Sequence, residues 1–155
     1  MVEQSFNTEV PFNIKELKKK SSNKTSWRDR LDSVNELKRY DCRQSRDIIK
    51  ILALHDPVYK VAEAAFEAAQ AYGLTKKGKP LYLRKKKKGN LDEGIPEMLK
   101  AVSDSFKGEP PVQEFKEKFK AMYPKTFDTY DGEMGASLDE WLKDQGGLIH
   151  DLDKT

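Results

Sequence analysis

The chain has 155 residues, of which 37% are hydrophobic, 35% charged and 10% aromatic. That is one domain's length with enough aromatic burial to offset ordering entropy, which excludes a disordered chain and a fold that depends on disulfide or metal staples. The net charge of +3 hides an asymmetry: 21 Lys and Arg stand against 11 Asp and Glu in residues 1–89 (+10), and 8 against 15 in residues 90–155 (−7).

Residues 1–11 are polar and aperiodic and read as a loose arm closed by Pro11. Asn13 with Glu16 reads as a capping box opening a short basic helix, Ile14 to Lys20. The stretch 21–25, SSNKT, has linker composition. Ser26 caps the next helix, with Asp29 in its first turn, where the helix dipole favours an anion. Trp27, Leu31, Val34 and Leu37 form its apolar stripe, and Arg28, Asp32, Asn35 and Arg39 turn outward. Ser45 or Asp41 opens a third helix, apolar almost all round through Ile48, Ile49, Ile51, Leu52 and Leu54, which predicts burial between neighbours.

His55-Asp56-Pro57 is the clearest punctuation. Asp56 is suited to accept the first free backbone donors, and Pro57 to occupy the first helical position. The helix that follows, Pro57 to Tyr72, carries Val58, Val61, Ala62, Ala65, Phe66, Ala69 and Tyr72 on one face, and Gly73 stops it. Residues 74–90 break the helical pattern, with Leu81-Tyr82-Leu83 as an extended or pinned piece.

The acidic half predicts a helix through Ile95, Leu99, Val102 and Phe106, ended by Gly108. A second follows Pro110-Pro111 through Val112, Phe115, Phe119 and Met122 and ends at Pro124. Ser137 with Glu140 reads as a capping box for a last helix bearing Leu138, Trp141 and Leu142, stopped by Gly146-Gly147. Between these, Phe127, Tyr130 and Met134 fold down from an irregular turn. No period-2 strand pattern stands out, so the expected class is all-α.

Residues 26–73 resemble a HEAT repeat, the helix-pair unit of armadillo-like superhelices. The segments carrying the likeness are SWRDRLDSVNELKRY, then SRDIIKILALH, then DPVYKVAEAAFEAAQAYG, where Asp-Pro caps a helix lined by small residues. The resemblance implies helix pairs that stack to bury faces no single unit can bury alone. It covers about a third of the chain, and residues 91–155 are a C-terminal acidic helical region that it does not reach. The expected organisation is an arm and basic helix over 1–25, the repeat region over 26–73, a basic loop over 74–90 and the C-terminal region.

Several chemistries lack their residues. Gly73 to Lys79 fits the spacing of a phosphate-binding GxxxxGK loop, but Pro80 stands where a magnesium-holding hydroxyl belongs and a helix precedes it. His55 and His150 are far apart, and Cys42 has no CxxC partner, so no metal site is assigned. With Gly132 at the sixth place of a calcium loop, Phe127 and Leu138 fall at its ends, which excludes an EF-hand. There is no GxSxG, and a Cys42–His55 pair has no further support, so no catalytic residue and no cofactor are assigned. One cysteine fits a reducing, cytoplasmic setting, no apolar stretch approaches the roughly 18 residues of a membrane span, and MVEQSFNTEV lacks the pattern of a signal peptide.

The basic residues remain. Lys76, Lys77, Lys79, Arg84, Lys85, Lys86, Lys87 and Lys88 place eight cations in thirteen residues around Tyr82, and Arg28, Arg39, Arg43 and Arg46 add a second group. Cations without a base-reading code give salt-dependent affinity for nucleic acid. The expected function is a non-enzymatic scaffold or interaction module for a protein partner, with nucleic-acid binding through residues 76–88 as the alternative. HEAT-like folds also include alkylpurine DNA glycosylases, which imply a third, enzymatic alternative.

Overall fold

A computed structural model describes residues 6–87 and 91–153, with side chains as far as Gln145. Among the described residues the fold is helical apart from one small hairpin and an isolated bridge, and the chain divides into two compact units, Met1–Lys86 and Lys87–Thr155.

In the first unit α1 (Ile14–Ser21) packs on α2 (Trp27–Leu37), and α3 (Arg43–His55) packs on α4 (Tyr59–Tyr72). The short connections make each pair an antiparallel hairpin. α1 also meets α3 and α2 meets α4, so the two hairpins stack side by side. Ser26 caps α2 as its position predicts, accepting from the Asp29 N–H at 3.2 Å. The α2 stripe is buried through Trp27, Val34 and Leu37, with Leu31 half-buried, and it meets Ile49, Leu52, Val61, Ala65 and Ala69 from α3 and α4. Each fully buried Leu or Ile of this set contributes roughly 1.5–3 kcal/mol. The alanines leave room for close helix approach, and Gly73, at φ +74, ends α4 in the left-handed conformation.

Several local expectations fail here, each for a visible reason. The arm is not loose from Phe6 onward, because Asn7 bridges to Tyr40, its N–H donating to the Arg39 carbonyl at 3.0 Å and its carbonyl accepting the Asp41 N–H at 2.7 Å, and the Phe6 ring lies 5.0 Å from that of Tyr72. The Asn13–Glu16 box does not form, since the Asn13 amide donates instead to Glu36 at 3.4 Å. Neither Ser45 nor Asp41 opens α3: Cys42 is the cap residue, and its sulfur sits 3.3 Å from the Ser45 hydroxyl. α3 is not buried all round, because Ile51 is 57% exposed. α4 begins at Tyr59 rather than Pro57, because the Asp56 carboxylate accepts the Val58 N–H at 2.9 Å while also holding Arg30.

The second unit holds α5 (Ile95–Asp104), α6 (Val112–Met122), α7 (Pro124–Met134), a 3₁₀ turn (Gly135–Ser137) and α8 (Leu138–Asp153). Its core is Ile95, Leu99, Val102, Phe119, Tyr130, Leu138 and Leu142. Aromatic rings fix it: Phe127 meets Phe119 edge-on at 5.5 Å, and Trp141 stacks on Tyr130 at 4.8 Å. The Tyr130 hydroxyl accepts the N–H groups of Leu91 and Asp92 at 2.9 and 3.1 Å, and burial pushes its pKa up.

Phe127, Tyr130 and Met134 do not hang from an irregular turn. They line α7, which Pro124 starts as well as ending α6. Gly146-Gly147 does not stop the last helix, which runs to Asp153.

Candidate functional site

The basic stretch after Gly73 is built into the first unit. Leu74 packs on the core, and Leu81 is 7% exposed within it. Between those two anchors the chain has little choice but to turn. β1 (Thr75–Lys76) pairs antiparallel with β2 (Lys79–Pro80), in the register Thr75 to Pro80 and Lys76 to Lys79. Lys77 and Gly78 form the two-residue loop at φ +53 and +77, the positive pair that such tight hairpins require. An all-loop reading of residues 74–90 is corrected to that extent. Lacking Asn-Gly, the turn gave no usual hairpin signal. Lys76, Lys77 and Lys79 are all exposed.

From Leu81 the chain returns along α4. Burial alternates, with Leu81 buried, Tyr82 exposed, Leu83 half-buried and Arg84 exposed, as for an extended segment lying on a surface. Arg84 donates to the Pro57 carbonyl at 3.1 Å, and its guanidinium lies 5.9 Å from the Tyr59 ring centre. The hairpin leaves the C-terminal end of α4 and Arg84 rests at its N-terminal end. The extended backbone from Leu81 to Arg84 advances about 10 Å, and the long Arg84 side chain completes the reach to Pro57 and Tyr59.

At that second end more cations gather. Trp27 lies between Arg28, at 4.4 Å from its ring centre, and Lys60, at 4.8 Å. Lys60 follows Tyr59, the residue under Arg84. Arg28 and Lys60 thus share Trp27 at the first turns of α2 and α4, and Arg84 rests on Tyr59 at the start of α4. Lys60 was missed in sequence, because nothing local ties it to Trp27, thirty-three positions earlier.

Beneath them runs a buried strut. Arg30, 1% exposed, donates through Nε to Asp56 Oδ2 at 2.7 Å, through Nη2 to Oδ1 at 3.3 Å, and through Nη1 to the Asn23 carbonyl at 2.7 Å. One side chain therefore ties the α1–α2 connection, α2 and the α3–α4 connection together.

The other expected site residues disperse. Arg39 lies just past the far end of α2, about 16 Å from Arg28 by helix length, and Arg43 and Arg46 lie in the first turns of α3. Arg39 borders a groove of about 400 Å³ with Phe6, Lys38, Ala64, Glu67 and Ala68. Arg43 lies 3.8 Å from Asp47, both exposed. Arg46 grips Asp41 through two bonds of 2.5 and 3.2 Å, and that hydrogen bonding holds the Asp41 carboxyl below the usual carboxylate range. Lys85 and Lys86 are exposed at the end of the first unit. Lys87 opens the second unit, donating to the Leu91 carbonyl at 3.2 Å, and Lys88 lies outside the described residues.

Among the described residues no three His, Cys, Asp or Glu gather as a metal site would require, and no helix is long and apolar enough to cross a membrane. Compared with known protein families, characterised proteins and solved structures, the chain has no match.

Proposed function

We propose that this chain is a non-enzymatic interaction module that engages an anionic macromolecule through a cationic strip on its first unit. The strip is Lys76, Lys77, Lys79, Arg84, Lys85 and Lys86, joined at one end by Arg28 and Lys60. One observation carries the reading: the strip is pinned to the core by Leu74, Leu81 and Arg84, while its lysines stand in solvent. A run that only solubilises needs no such anchoring. Cations held on a fixed backbone approach a polyanion without first losing conformational freedom.

The scaffold reading is of the HEAT type. Support comes from the two stacked helical hairpins, with α1 beside α3 and α2 beside α4, which is how such pairs extend a common core. Acidic protein surfaces and nucleic acids both carry the chemistry the strip would meet.

The test is fluorescence anisotropy with labelled single-stranded DNA, duplex DNA, heparin and polyglutamate, at about 50 and 200 mM salt, where phosphate contacts lose affinity steeply. Binding of at least one polyanion that weakens with salt supports the reading. No binding of any of them at the lower salt overturns it.

A further inference from the structure

Tyr82 is the feature of the strip that charge does not explain. It is 82% exposed, between Leu81 at 7% and a half-buried Leu83. Leu81 in the core and the Arg84 bond to the Pro57 carbonyl hold the chain on either side, so the ring projects from a fixed base rather than from a floppy loop. Before it in the chain stand Lys76, Lys77 and Lys79, and after it Arg84, Lys85 and Lys86. From Leu81 to Arg84 the chain runs extended for about 10 Å toward the N-terminal end of α4, a shape suited to a linear partner.

A projecting aromatic with cations on both sides combines the two elements by which unpaired strands are held. Cations neutralise phosphates, and a ring face stacks on a base. A duplex offers the same phosphates but keeps its base faces stacked inside, so the ring gains nothing from it. An acidic protein offers carboxylates to the lysines and has no obligatory planar face for Tyr82. Aromatic faces also tolerate any base, which agrees with a strip of lysines that reads no sequence.

We infer that the strip binds single-stranded nucleic acid, with Tyr82 as the platform on which an unpaired base stacks. This rests on the cationic-strip reading above and names its substrate class. Lys79 and Arg84 are the nearest cations along the chain on either side of Tyr82, and they take the flanking phosphates.

The experiment uses the full chain and an oligothymidylate of roughly 16 nucleotides, the upper range of single-strand site sizes. A duplex of the same length and heparin are titrated beside it, with the native chain, Tyr82→Ala and Tyr82→Phe. Tyr82 is exposed, so both variants keep the fold, which circular dichroism checks. The expected result is tighter binding of the single strand than of the duplex, a loss of roughly five- to hundredfold for the single strand in Tyr82→Ala, unchanged duplex and heparin affinity, and recovery in Tyr82→Phe. Equal effects of Tyr82→Ala on single strand and duplex, or none on either, overturn the inference while leaving the cationic reading in place. So does binding of polyglutamate or heparin without nucleic acid, which assigns the strip to an acidic partner. No binding of any polyanion overturns both.

Discussion

Arg30 and Asp56, twenty-six residues apart, form a buried pair joined by two hydrogen bonds, with side chains 2% and 1% exposed. Arg30 lies one turn into α2, and Asp56 sits in the connection that leads to α4. The pair therefore fixes the first turns of those helices, where Arg28 and Lys60 share Trp27. Both charges are fully coordinated, since Arg30 also reaches the Asn23 carbonyl and Asp56 also accepts from Val58.

Breaking the pair leaves a buried charge without its counterpart. Asp56→Ala is expected to destabilise the first unit by about 3–5 kcal/mol, and the double change Arg30→Met with Asp56→Leu to regain most of that loss. Hydrogen exchange of α4 amides under increasing urea measures both. A double variant as unstable as the single one would show that the pair's partners, not the stranded charge, set the cost.

Gly73 ends α4 at φ +74 with open space around it, so a methyl group there meets backbone strain and no clash. Gly73→Ala is expected to cost about 1–2 kcal/mol in urea unfolding. Gly94→Ala serves as the contrast, because Gly94 has φ −82 and its nearest neighbours, Asp92 and Met98, lie at 3.5 and 3.6 Å. Its effect should fall within about 0.5 kcal/mol. Equal losses at the two sites would contradict the left-handed cap.

Tyr72 gives the fold an alkaline limit. Its hydroxyl lies 2.8 Å from the Leu37 carbonyl and 2.6 Å from that of Tyr40, and burial pushes its pKa from 10.0 up to about 12. The folded state therefore keeps a proton that the unfolded chain has already released, so stability is full below pH 10.0 and falls as pH rises toward about 12. Tyr72→Phe is expected to lower stability at neutral pH by about 1–2 kcal/mol and to flatten the decline above pH 10.0. Melting temperatures across that range decide it; an equally steep decline in the variant would assign the alkaline loss elsewhere.

The acid side has its own marker in Asp41, whose carboxyl the Arg46 hydrogen bond holds below 3.8. Its contribution is present above that value and is lost as pH falls through the lower, folded-state pKa. Both partners are partly exposed, so Asp41→Asn should cost no more than about 1 kcal/mol at neutral pH and make stability less pH-dependent below 3.8. Thermal unfolding of the two proteins across that acid range compares the slopes, and identical slopes would remove Asp41 from the acid response.

Lys76, Lys77 and Lys79 are exposed on the hairpin and touch nothing the core needs. Changing all three to Gln should leave stability within about 0.5 kcal/mol, and should reduce the slope of log affinity against log salt for single-stranded DNA by about 2. An unchanged slope would take the hairpin out of the contact.

Local signals carried much of this fold. The Ser26 cap, the Trp27–Leu37 stripe and the Gly73 stop each rest on a few neighbouring residues, and each formed where the pattern placed it. What depended on distant residues did not show. Nothing near Arg30 in sequence marks it as buried, because its partner Asp56 stands twenty-six residues on. Lys60 became part of the cationic cluster only through Trp27. α7 was illegible because Gly132 and its acidic neighbours weaken helix propensity, and burial of Asp128, Tyr130 and Gly132 overrides that preference. Of the basic residues, sequence could not separate Arg46, which Asp41 holds, from Lys76, Lys77 and Lys79, which the hairpin exposes.

The most direct test of the account is an amide NMR titration of the full chain with oligothymidylate at low salt. The account predicts shifts concentrated in Thr75–Lys86 and around Arg28 and Lys60, with the α2–α4 groove at Arg39 and Ala68 unmoved. Shifts confined to that groove, or to the second unit, would contradict it.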